Sequence, residues 1–97
     1  MHLITLAELK KGESGIIRKL DESRLLQQSG LEEGGVEARL LEMGFVEGAK
    51  LHVLHLGMFG KSPIAVRINN SSSVIALRRH EAAAILVEKL IEKMFRQ

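Results

Sequence analysis

The side chains in this sequence that could do chemistry or hold a partner are few: four histidines, a pair of adjacent arginines, and two bulky apolar residues beside a glycine. Imidazole with carboxylate suits divalent transition metals. His52 and His55 are the closest histidine pair, but they stand three positions apart in a stretch that reads as strand. A regular strand sends such residues to opposite faces. No metal ligand set is therefore expected, and His52 and His55 remain weak candidates only. His2 and His80 lie near element ends. Arg78-Arg79 suits a phosphate or an acidic partner, and equally a solvated charge pair just after a strand. Met58-Phe59, followed by Lys61, falls in an expected loop. Large apolar side chains there either tuck beneath the loop or anchor a partner.

Catalysis finds no support. The glycines at 57 and 60 do not complete a Walker phosphate-binding pattern. Serines 71–73 are accounted for by turn chemistry. There is no cysteine, which removes disulfides, thiolate metal sites and cysteine nucleophiles. We expect no enzyme activity and no resident cofactor.

The element that organises the rest is Glu37–Val53. Glu37 to Met43 contains strong helix formers, with Val36, Leu40 and Met43 spaced for one buried face. Gly44 stands where a left-handed helix stop belongs. Phe45-Val46 can fold back on the last turn, Glu47-Gly48 makes a tight turn, and from Lys50 the period becomes two. Leu51 and Val53 then share one face, Lys50 and His52 the other.

Around this unit the chain supplies short partners. Thr5 with Glu8 has capping-box spacing and predicts one helical turn at Leu6–Leu9. Ser14–Lys19 reads as a strand with Ile16 or Ile17 inward. Asp21–Gly35 reads as a surface excursion. The strand begun at Lys50 continues to Gly57, a loop spans Met58–Ser62, and Pro63 opens a strand in which Ile64, Val66 and Ile68 alternate. Asn69 to Ser73 forms a turn before Val74–Leu77. After Arg78–Ala83 two readings compete. Ala83, Val87, Leu90 and Met94 fit one helix to the end, while Ile85-Leu86-Val87 fits a strand. The sum is a small, strongly bent β-barrel or sandwich in one domain over residues 1–97.

Charge narrows the partners. Net charge is +2, and the excess lies in residues 78–97. A nucleic-acid surface normally carries a larger, less interrupted excess. Phe45, Phe59 and Phe95 are the only aromatics, which leaves no stacking platform. We therefore expect no nucleic-acid partner. With no apolar run of ~18 residues and no signal-peptide pattern, a cytoplasmic location is expected.

The run Arg39-Leu40-Leu41-Glu42-Met43-Gly44-Phe45-Val46-Glu47-Gly48, then Pro63-Ile64-Ala65-Val66, then Ala76-Leu77-Arg78-Arg79-His80-Glu81-Ala82 and Ile85-Leu86-Val87, resembles the FeoA family. Its members are small cytosolic components of bacterial ferrous iron transport, similar in fold to the C-terminal SH3-like domain of iron-dependent repressors. The resemblance implies a mainly β, SH3-like small barrel with helical insertions, in which Ala84–Glu88 is a closing strand. It implies an accessory role at the FeoB permease. The residues themselves offer Met58, Phe59, Lys61, Arg78 and Arg79 as candidate contacts and Gly44, Gly48 and Pro63 as structural positions. The alternative is a metal-sensing module that binds a transition metal itself; for this chain only weak Fe(II) or other divalent binding is expected. Residues 89–97 extend past the usual end and read as an amphipathic helix, a candidate route to self-association.

Overall fold

The computed structural model describes residues 2–21, 35–59, 62–69 and 71–91, by their backbone alone at 35–37 and 58–59. The excursion expected over Asp21–Gly35 lies outside the described residues except at its ends, as do Lys61 and the tail from residue 92.

Among the described residues, six strands make one antiparallel sheet in the order β1-β6-β2-β3-β4-β5. They are β1 (Ile4–Thr5), β2 (Ser14–Leu20), β3 (Lys50–Phe59), β4 (Ser62–Ile68), β5 (Ile75–Leu77) and β6 (Ile85–Leu90). A 3-10 turn occupies Leu6–Glu8, and the short helices α1 (Gly35–Glu42) and α2 (Arg79–Ala82) interrupt the strands. The fold is thus mainly β with small helical insertions.

The local rules account for most of this. The Glu8 carboxylate accepts the Thr5 N–H at 2.8 Å and closes the first turn. β1 itself, only two residues long, carries no periodic signal in the sequence. α1 stops where Gly44 takes a φ of +103°, and the Phe45 N–H returns to the Leu40 carbonyl at 3.0 Å. Phe45 is wholly buried, which contributes about 1.5–3 kcal/mol. Val46 does not follow it inward and stays 44% exposed, contrary to the expected apolar pair. The chain reverses at Gly48, φ +91°, whose N–H donates to the Ile17 carbonyl at 2.7 Å. That bond fastens the turn to β2.

β4 behaves as its alternation predicts: Ile64, Val66 and Ile68 enter the core, while Ala65 and Arg67 face away. Pro63 is the second residue of β4, which lies inside the sheet between β3 and β5 rather than at an edge. The pairing of β4 with β5 begins at Ile64, so the missing N–H of Pro63 lies before it.

Two expectations require correction. β3 runs to Phe59, so Met58 and Phe59 belong to a strand and not to a loop. The reach of the β3–β4 pairing, down to Phe59 opposite Ser62, extends the strand past Gly57. At the other end of the chain, the strand reading of Ile85-Leu86-Val87 prevails over a continuous helix. β6 pairs with both β1 and β2, and Ile85 and Val87 are fully buried on one face. β6 also includes Lys89 and Leu90, opposite Gly15 and Ser14, so these two are not helical. Long-range pairing outweighs their good helix propensity.

Candidate functional site

β3 positions the residues with the most chemistry. Its inner face carries Leu51 and Val53, both fully buried. At the next residue the ladder slips: Val53 pairs with Val66, yet His55 pairs with Ala65, leaving Leu54 as an extra residue. This one-residue bulge overturns the opposite-face expectation for the histidines. His52 lies across from Arg67 and His55 across from Ala65, and both partners face away from the core. His52 and His55 therefore share the outer face of the sheet. The backbone anchors the bulge, because Val53 exchanges hydrogen bonds with Gly12 at 2.8 Å and Glu13 at 2.9 Å.

One row crosses three strands on this face. Ser14 of β2 lies opposite His52, which in turn lies opposite Arg67. The Ser14 hydroxyl, only 2% exposed as a residue, is hydrogen-bonded to the His52 Nδ1 at 2.7 Å. Among the described residues, the Arg67 Nε is a buried side-chain nitrogen without a hydrogen-bond partner. Neither Ser14 nor Arg67 stood out in the sequence; the only available signal was their outward phase in two strands. Further along β2, Arg18 sits in a second bulge and pairs with Glu88 of β6 at 2.7 Å.

A different end of the molecule gathers the other candidates. The β3–β4 pairing places Phe59 opposite Ser62, and the Arg79 N–H donates to the Ser62 hydroxyl at 3.3 Å. The backbone at Phe59 and the exposed arginines Arg78 and Arg79 thus adjoin. Gly57 permits this close approach. A Cβ there would lie 1.9 Å from the Ser62 carbonyl oxygen. Lys61 lies outside the described residues.

Behind the arginines, Glu81 is buried at 6% exposure. Its carboxylate accepts the Arg78 N–H at 2.9 Å and pairs with the Arg39 guanidinium, joining α2 to α1. Elsewhere, the Lys89 ammonium, 2.7 Å from Glu13, holds the Glu13 carboxyl below its usual value, helped by the Lys10 N–H. Among the described residues no three histidines, aspartates or glutamates cluster to hold a metal ion. No helix among them is long and apolar enough to cross a membrane.

The sequence model of the FeoA domain matches residues 4–89. The chain belongs to the FeoA family. Solved structures agree. The FeoA protein from Chlorobium tepidum is 32% identical, with 90% of this chain and 70% of that one covered and a TM-score of 0.70. The FeoA of Stenotrophomonas maltophilia, an SH3-domain protein crystallised with zinc, is 27% identical, with 88% and 89% covered and a TM-score of 0.68. A manganese-dependent transcriptional repressor at 19% identity shares the fold alone, with a TM-score of 0.75 over 93% of this chain and 38% of its own. A comparison with curated proteins found no match. The SH3-like architecture expected of a FeoA protein is therefore the observed one, and Met58, Phe59, Arg78 and Arg79 lie on the β3–β4 hairpin and the segment entering α2.

Proposed function

We propose that this FeoA chain is a non-enzymatic cytoplasmic accessory protein of ferrous iron uptake that binds the cytosolic part of a FeoB-type permease. The FeoA match over residues 4–89 carries this reading. The Stenotrophomonas maltophilia relative supports it, being described as a candidate activating factor of bacterial ferrous iron transport.

The residues proposed to meet the permease are Met58, Phe59, Lys61, Arg78 and Arg79. The Arg79–Ser62 hydrogen bond supports treating the hairpin and the arginines as one surface. Two exposed arginines suit an acidic partner and act mainly on the rate and specificity of encounter. The test is capture of the full chain by the immobilised cytosolic GTP-binding domain of the permease. The wild type should be retained, and an Arg78→Glu/Arg79→Glu variant should lose retention at least about tenfold, more so at low salt. Equal retention of the variant removes the arginines from the surface; no retention of the wild type refutes the permease reading.

A further inference from the structure

We infer that His52 and His55 together hold one divalent transition-metal ion on the outer face of the sheet, with Ser14 orienting His52. This inference stands apart from the permease reading and uses neither the hairpin end nor the arginines at 78 and 79.

The bulge is the observation that makes it possible. Three sequence positions separate the histidines, but their partners on β4, Arg67 and Ala65, are only two ladder steps apart. The extra residue, Leu54, converts an opposite-face pair into the equivalent of a next-but-one pair on a regular strand. Such residues lie about 7 Å apart along the strand on one face. Two imidazoles reaching from there can converge on one ion, since each metal–nitrogen bond is about 2 Å long.

The Ser14 contact supplies what a ligating histidine needs. Such histidines engage their second ring nitrogen with a fixed partner, which sets tautomer and orientation. The His52 Nδ1 is held 2.7 Å from the Ser14 hydroxyl. With the proton on Nδ1 donated to that oxygen, the Nε2 lone pair is left for an ion. Ser14 is buried, so water does not compete freely for this contact. His52 is half-buried and His55 exposed, so an ion can arrive from solvent.

The donor set limits affinity and selects the metal class. Two neutral imidazoles suit zinc, copper, nickel or ferrous iron, and not calcium or magnesium. Among the described residues no third histidine or carboxylate completes the set. Arg67, opposite His52, places a positive charge beside the ion and weakens binding further. The remaining coordination positions stay open to water.

The test is a Zn²⁺ titration of the full chain, followed by the histidine ring resonances. His52 and His55 should shift together with one midpoint and one ion per chain, before His2 and His80 respond. His55→Ala changes only an exposed side chain and should weaken the His52 response at least about tenfold. Ser14→Ala should weaken it about tenfold, the lower end of the effect of removing an orienting partner. Thermal unfolding without metal confirms that both variants are folded. Separate midpoints for the two histidines, an equal response of His2 or His80, or an unchanged His52 response in His55→Ala overturns the shared site, and an unchanged response in Ser14→Ala overturns the orienting role of Ser14.

Discussion

Gly57→Ala should be among the most damaging single-methyl additions in this protein. Nothing about its backbone angle requires glycine; the obstacle is space. An added Cβ would lie 1.9 Å from the Ser62 carbonyl oxygen, 2.2 Å from its carbon and 2.6 Å from the Pro63 nitrogen. To restore even a 3.0 Å contact, the two strands must part by about 1 Å. The neighbour is backbone, so no side chain can swing away. Overpacking typically costs 1–3 kcal/mol, and an immovable neighbour puts this case near about 3 kcal/mol. For a chain of 97 residues that lowers the melting temperature by roughly 10–20 °C. Gly12→Ala is the control, because its φ of +88° strains alanine while no atom lies within 4 Å of the new methyl. That variant should cost only about 1–2 kcal/mol. Urea unfolding of both variants, with the slope checked for constancy, gives the comparison. If Gly57→Ala is no costlier than Gly12→Ala, the close approach of β3 to β4 is not a constraint and the reasoning fails.

Three further outcomes are expected. Gly44→Val should cost at least about 1–2 kcal/mol through its φ of +103°, since the nearest neighbour, Ile68, stands at an ordinary 3.7 Å; an unchanged denaturation midpoint contradicts a left-handed stop. The Glu13 carboxyl titrates below its usual value near 4.5 in the folded chain, chiefly through Lys89, so its contribution is present above that value and is lost as pH falls through the folded value. Glu13→Gln should therefore be less stable than wild type at pH 7 by at most about 1 kcal/mol, with the difference closing in acid; a difference that widens in acid reverses the sign. Glu81→Ala removes both the bond to the Arg78 N–H and the Arg39 pair and should cost about 2 kcal/mol, whereas Arg39→Ala, at an exposed guanidinium, should cost under about 1 kcal/mol; equal losses would mean that the pair, not the cap, dominates.

What the sequence made legible follows from how local each cause is. The Gly44 stop, the turn at Gly48 and the inward phase of Ile64, Val66 and Ile68 depend on residues a few positions away, and each is readable as propensity or period. β6 needed more. Its own residues fit helix or strand equally, and only the opposite strands β1 and β2, 65 to 83 positions away, decide the matter. The bulge at Leu54 leaves still less trace. No glycine or proline marks it, and the alternation of Leu51, His52 and Val53 gives no warning that the count changes at the next residue. Its cause is the registry of β4, where Val66 and Ile64 must both face the core while β3 offers Val53 and Leu56, three positions apart, to meet them. A regular strand cannot turn both residues inward; one inserted position can. The same insertion that satisfies the core turns His55 to the side of His52. Any ion-binding role of that face is therefore a consequence of how two apolar faces were matched, and the periodicity of β3 taken alone argues against it.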